Sequence, residues 1–596
     1  MKSGPLTTIL QLRRYRVKLS SKYTSLKKLS SYIKNGTSIG VGGHHFARLP
    51  ITLINEVLKK NPKNLEFIAW SGGLALELFL QKKSINKINI CFSSLDIFGL
   101  APSFRKVGED KSVPIVDWSA LGLIKALRAG QQNLDSEIFQ YPLGSDLPNK
   151  TKFCKKFIDP YTKKLFAVVP AIKIDNFLLH ATRADEEGNV EIHGPRALDT
   201  IMAGASKNIL VTVDKIVSKQ TLIKEKKGNL ISKNFITAIT ECPFGAYPTS
   251  SVPYYITDYE DLGNAFEKKP ISIGHSFKKN KNFLQQSNTL ELNTFIAHFK
   301  KRKNRISVDG PITGDEVMAY ALSNEYNNES LCSSGAVSPL ANVSYLFAKR
   351  NHAPQLILTT MTYGHHDVNF RPMTLSFGEV LDRKNCVNFW GGDDSYSIYY
   401  QNGQITHEVI GCAQIDKYGD VNNIEIKKKK GGVLRLPGQG GMADVANLHQ
   451  NFICYVTKHS KLSFVEKVDY VSAGRGLFKD KERIDAGLKP GFVKIFTNLC
   501  VFEKNKKTNL LEVISIHKGV AKKEIEENTG FKIKYNKKCK VTPSPSKKEL
   551  KILREEVDPL NIRKLEFVSG KERMNLFKEI LDKEKLLIKS LKKEKL

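Results

Sequence analysis

Short apolar runs alternate with amphipathic stretches along most of the chain. TSIGVGG, INICFSS, LFAVVPAI and NILVTV in the first half, and QLILTT, CVNFWGG, FICYVT and VKIFTNLCVF in the second, are bounded by polar or glycine-bearing segments. Their β-branched and aromatic content predicts strands. Between them, SALGLIKALRAG, ALDTIMAGA and GDEVMAYALSNEY place apolar residues three and four apart, the spacing of one helix face. Strands alternating with helices predict an α/β architecture with mainly parallel sheets.

The order is written twice. A short amphipathic helix over residues 24–35 turns at Gly36 into TSIGVGGHHFARLP, then a helix ITLINEVLKKN and a strand LEFIAW. Past the middle, helix GDEVMAYALSNEY, segment SLCSSGAVSPL, helix NVSYLFAKRN and strand QLILTT follow at nearly the same spacing. A second match is D-x-x-G-[ND]-V, at Asp185, Gly188 and Val190 and again at Asp416, Gly419 and Val421. Aspartate accepts backbone N–H groups there while glycine takes a positive φ. The duplication predicts two homologous open α/β/α domains, over 23–266 and 306–565. An extension (1–22), a connector rich in Lys, Asn and Ser (267–305) and a basic C-terminal helix (566–596) complete the chain. That helix carries apolar Leu576, Ile580, Leu586 and Leu587. It either packs on its own domain or serves a membrane surface or partner helix.

Charge adds little to this picture. Lys+Arg number 93 against 60 Asp+Glu, a net +33, with 41% hydrophobic residues. The apolar fraction excludes a disordered chain. Aromatic residues do not interleave with the basic ones, so lysine-rich surface is expected rather than a nucleic-acid partner. The nine cysteines include no C-x-x-C pair. Neither zinc nor a disulfide framework is expected, and a cytoplasmic location is. No secretory signal is read at the N-terminus, and no run approaches the ~18 apolar residues of a membrane span.

Glycines mark the candidate chemistry. In PGQGGMADVAN, Gly438, Gly440 and Gly441 precede a helix expected near Met442, where free N–H groups can face negative charge. The segment matches neither a P-loop nor G-x-G-x-x-G. Gly42 and Gly43 end a strand in the first half. His44 and His45 follow them, and His365 and His366 form a second pair. Adjacent strand residues face opposite ways, so no metal is expected at either pair.

Eight segments in order carry a resemblance: NGTSIGVGGHHFARLP, FGLAPSFRK, ADEEGNVEIHG and CPFGAYPTS, then IGCAQIDKYGDVNN, PGQGGMADVAN, VDYVSAGR and ILREEVDPL. Together they resemble the class I coenzyme A transferases, in particular glutaconate CoA-transferase with its A and B subunits fused. The resemblance implies an active site between the domains, with the glycine loops at the CoA and acyl pocket. It implies coenzyme A as a substrate with no permanently bound cofactor, an acyl-CoA and a small organic acid as partners, and a possible homo-oligomer. Arg105, in PSFRK, is then a clamp for a carboxylate or a CoA phosphate, with a surface salt bridge as the alternative. Arg48 and Arg196 stand in the same balance. Residues 427–430, four lysines, either meet CoA phosphates or form a solvated turn.

One feature of the family is missing. Its nucleophilic Glu ends a strand early in the second half, and here the aligned position falls at Thr359 or Thr360, with no Glu between Glu329 and Glu379. A threonine hydroxyl cannot form the exchangeable anhydride. Related hydrolases of ring-containing acyl-CoAs use a Glu and an Arg whose positions here read Ala120 and Gln140. Asp96 and Asp117 remain as carboxylates, and Asp96, at a strand end, is the better candidate for a base; its alternative is a helix or turn cap. CoA transfer is therefore the expected activity. Hydrolysis of an acyl-CoA or β-keto-acyl-CoA, and a catalytically silent CoA-binding protein, are the alternatives.

Overall fold

The computed structural model describes residues 19–593 except 195, 226–227, 274–308, 336–337 and 361–362. Most of the expected extension and connector lies outside these residues, as does the side chain of Leu587.

Nine strands form the first sheet: β1 (Ser38–Val41), β2 (Leu65–Ile68), β3 (Ile85–Ile90), β4 (Ile115–Asp117), β5 (Ile174–Asp185), β6 (Val190–His193), β7 (Ser206–Val217), β8 (Gly228–Ile231) and β9 (Ala238–Glu241). Ten form the second: β10 (Leu331–Ser334), β11 (Ile357–Thr360), β12 (His365–Val368), β13 (Cys386–Phe389), β14 (His407–Gly411), β15 (Phe452–Val456), β16 (Val493–Thr497), β17 (Cys500–Lys504), β18 (Leu511–Ile516) and β19 (Lys534–Val541). In each sheet the first strand holds the centre. β1 pairs in parallel with β2 and with β5, and β10 pairs in parallel with β11 and with β14. The same plan in both sheets supports the internal duplication.

The central strands are apolar on both faces because helices cover both, as β1 illustrates with every residue buried. Helices α1 (Ile51–Lys59), α2 (Gly73–Gln81), α3 (Pro102–Asp110), α4 (Ala120–Gln131) and α5 (Tyr259–Glu267) belong to the first half. Helices α6 (Gly314–Ser323), α7 (Pro339–Asn351) and α8 (Met442–Leu448) belong to the second. In α1 the buried residues Ile51, Ile54, Val57 and Leu58 form the inward face. Ser119 caps α4 by accepting from the Gly122 amide. Both D-x-x-G turns close as expected: Asp185 accepts from the Gly188 and Asn189 amides, and Asp416 from those of Tyr418 and Asp420. Gly188 and Gly419 have φ of 99° and 75°.

Three local expectations change. LFAVVPAI leaves the main sheet and forms Leu165–Pro170 of a separate antiparallel sheet with Ser136–Phe139 and Lys155–Ile158. VKIFTNLCVF is not one strand but the β16–β17 hairpin. The last helix, α9 (Gly570–Lys593), packs on its own half, where Glu584 accepts from the Leu375 amide, and reaches the first half as well: Phe577 meets Phe98 at 5.1 Å and Tyr259 at 6.4 Å. Its buried stripe is Phe577, Ile580 and Leu581, while Leu586 is exposed.

The two halves share one apolar core that runs from Ile68 through Phe177 to Phe452 and Phe531. Polar pins cross the join. Arg435 binds Asp117 through both guanidinium nitrogens, Asp444 accepts from the Leu121 amide at the start of α4, and Arg196 pairs with Asp394 at 2.6 Å.

Candidate functional site

Where strand order departs from a central strand in both directions, the carboxyl ends leave a crevice for ligands. Here the two sheets turn those ends towards each other around one cavity of about 550 Å³. His44 and His45 follow β1, Trp70 and Ser71 follow β2, and Phe92, Ser94 and Asp96 follow β3. From the second half come Gly335, Ser338 and Pro339 after β10, the β14 residues from Glu408 onward, Thr457 after β15, and the loop entering α8. Glu566 and Arg573 close one side.

Asp96 stands in this cavity, and its carboxylate meets His45 Nδ1 at 2.6 Å. The pair replaces the helix-cap alternative. Both residues have left-handed backbone, φ 50° for His45 and 52° for Asp96, a strained conformation that surrounding structure must hold in place. His44 packs on Trp70 at 4.8 Å, and burial pushes its imidazole well below the usual range, leaving it neutral.

Glu408 is a second cavity carboxylate, and it was missed in the sequence. It sits on β14 in direct register with Ser333 of β10. Tyr400 donates to its carboxylate, and the Ser333 and Tyr400 hydroxyls lie 2.7 Å apart. His449 Nδ1 lies 3.7 Å from it, and burial drives that imidazole far down, so it brings no charge. Burial pushes Glu408 up to about 7, against the opposing bonds from Tyr400 and Ser333. The signal in the sequence was an acid directly before the apolar Val409 and Ile410 in HEVIG.

The glycine loop reaches the cavity as expected, but most of its amides face protein. Gly438 donates to Asn423 O and Gly440 to Cys91 O, which clamps the loop on the end of β3. A Cβ on Gly438 would stand 2.7 Å from Cys91 O, so only glycine fits. Gly441 differs: its amide finds no acceptor among the described residues, and the Tyr396 hydroxyl occupies the place its Cβ would take. That hydroxyl is buried and also unpartnered among the described residues. Tyr396 and Tyr400 both lie on the π-helical turn Ser395–Tyr400, which brings the Tyr396 side chain to the cavity and the Tyr400 hydroxyl to Glu408.

Other expected positions fall elsewhere. Gly42 and Gly43 do not line the cavity, because their amides bind Leu178 O and Asp199. Thr359 is fully buried on β11 and donates to His365 O, away from the cavity; the second-half strands that end there are β10, β14 and β15. Arg48 is sealed against Asp199 at 2.7 Å. Asp117 and Arg196 hold the halves together. Arg105 lies outside, paired with Glu109 at 2.8 Å, in a shallow cleft that also holds Lys106 and Lys428 and adjoins the cavity at Leu100.

Comparison with known proteins agrees with this arrangement. The coenzyme A transferase family model matches residues 23–240 and 371–528. The chain is 29% identical over 248 residues to the B component of 3-oxoadipate CoA-transferase from Pseudomonas knackmussii, covering 40% of this chain and 91% of that component. It is 23% identical over 259 residues to the A component of glutaconate CoA-transferase from Acidaminococcus fermentans, covering 40% and 80%. Among solved structures, an acyl-CoA transferase of E. coli O157:H7 superposes over 90% of this chain and 97% of its own, with a TM-score of 0.64 at 16% identity, a likeness of fold. The chain belongs to the coenzyme A transferase family, with A-like and B-like regions joined in one polypeptide.

Proposed function

We propose that this protein moves CoA between an acyl-CoA and an organic acid, and that Glu408 supplies the attacking carboxylate. The observation that carries this reading is a buried acid facing the cavity one strand away from β10, whose end brings Gly335, Ser338 and Pro339 there and no carboxylate among the described residues. A Glu408 oxygen attacks the thioester carbon. The new C–O bond forms, the C–S bond breaks, and the electron pair leaves on the CoA sulfur. The thiolate then attacks the Glu408 carboxyl carbon of the anhydride and expels the first acid as a carboxylate, leaving CoA on Glu408 as a thioester. An incoming acid reverses both steps, and no proton is gained or lost. The free Tyr396 hydroxyl and Gly441 amide are the donors for the oxyanion of each tetrahedral intermediate. The phosphates of CoA would meet Arg105, Lys106 and Lys428 in the cleft beside the cavity mouth, in competition with Glu109, which pairs with Arg105 and Lys428. The cytoplasm suits the nine unpaired cysteines.

The His45–Asp96 pair favours a second reading, hydrolysis, since it can take a proton from water inside the same cavity. The IpdA component of a cholesterol ring-cleaving hydrolase from Mycobacterium tuberculosis is 24% identical over 267 residues, covering 43% of this chain and 91% of that component. Incubation with a panel of acyl-CoAs, with and without labelled acetate, separates the two by mass spectrometry. Labelled acetyl-CoA that forms only with acetate is the expected result. Free CoA or a ring-opened acyl-CoA formed without acetate would replace transfer with hydrolysis. Bound but unchanged substrate would leave a silent binding protein.

A further inference from the structure

We propose that Arg573 is a receptor for a carboxylate on the far end of the transferred acyl chain, so that the favoured cargo is an acyl group ending in an acid. This inference rests on the cavity being the acyl site, as proposed above. Among the described residues that line the cavity, Arg573 is the single lysine or arginine. Its guanidinium forms no ion pair with a described residue, and its Nε is buried without an acceptor. The neighbouring acid, Glu566, acts on it only through space: Glu566 accepts from the Leu340 amide at 2.6 Å and from the Tyr455 hydroxyl, and burial lifts it to about 7. A cation with no ion pair among the described residues, beside apolar walls such as Ile97, Leu100, Val409 and Ile410, fits an aliphatic chain with one terminal charge.

The position of Arg573 is built, not incidental. It precedes Phe577 by four residues on α9, so both project from one helix face. Phe577 is buried against Phe98, which closes the short helical turn Asp96–Phe98. Further along, Glu584 is buried and accepts from the Leu375 and Ser376 amides. The helix is thereby fixed at both halves and holds Arg573 over the segment that carries Asp96. It also lies beyond the residues matched by the family model.

The test compares glutaryl-CoA with butyryl-CoA, similar chains that differ in a terminal carboxylate, in wild type, Arg573→Gln and Arg573→Lys. Both binding, by calorimetry, and kcat/KM with labelled acetate are read. Wild type is expected to favour glutaryl-CoA. In Arg573→Gln the glutaryl-to-butyryl ratio should fall on the order of 100-fold, as when one partner of a buried charge pair is removed. Arg573→Lys should recover part of it. Equal loss on both substrates, or a wild type that favours butyryl-CoA, would overturn the assignment; unchanged thermal melting separates the first outcome from misfolding. Discrimination in binding without transfer would retain Arg573 and reject the transfer reading. Transfer without discrimination would do the reverse.

Discussion

Glu408 and Asp96 reach one cavity from opposite halves under different constraints. Asp96 is held by an imidazole at 2.6 Å, whereas Glu408 has only neutral hydroxyls and a neutral imidazole around it. An uncompensated carboxyl in such a place keeps its proton longer, which is why burial moves Glu408 up to about 7. A nucleophile must be ionised, so kcat/KM for transfer should rise with pH through about 7 and level off above it. Glu408→Gln should lower kcat by about 1,000-fold or more with the fold intact, measured by CoA exchange and circular dichroism. Asp96 was legible in the sequence because a strand-end acid beside glycine and proline is conspicuous. Glu408 was not, since an acid on an interior strand reads as packing until its neighbours across the sheet are known.

At the level of elements, the glycine loop and the π-helical turn work as one unit. Gly441 has no room for a methyl group, as a Tyr396 ring carbon stands 3.0 Å from the added Cβ and the hydroxyl stands nearer still. Gly441→Ala must displace Tyr396 or the loop. We expect a stability loss of about 1–3 kcal/mol, read by denaturant unfolding, and a fall in kcat of about 100-fold as the paired donors separate. The loop itself was visible in GQGGMAD, including the helix that follows. Which amides stay free was not, because Asn423 accepts that of Gly438 and Cys91, far away in the chain, accepts that of Gly440. The aligned position, Thr359 or Thr360, lies on β11, and only the packing of the two sheets reveals that β10, β14 and β15 end on the cavity instead.

Across the whole molecule, chemistry depends on the halves staying in register. Asp117 and Arg435 are each under one-tenth exposed, and they pair across the join, so removing one leaves the other charged and buried. Asp117→Ala should cost about 3–5 kcal/mol, while Asp117→Ala combined with Arg435→Met should recover part of that in the unfolding midpoint. The duplicated plan was written in the repeated order of segments and is seen again in the two central strands. The crossing of α9 to the first half was not, because its amphipathic pattern names a buried face but not what buries it. The surplus of +33 likewise explains little of the site, where one arginine lines the cavity and a few cations edge the adjoining cleft. The most direct test of transfer through Glu408 is borohydride reduction during turnover with an acyl-CoA, followed by peptide mass mapping. The expected result is a peptide in which the Glu408 carboxyl has become an alcohol. Sustained CoA exchange with Glu408 unmodified, or with Asp96 reduced in its place, would contradict it.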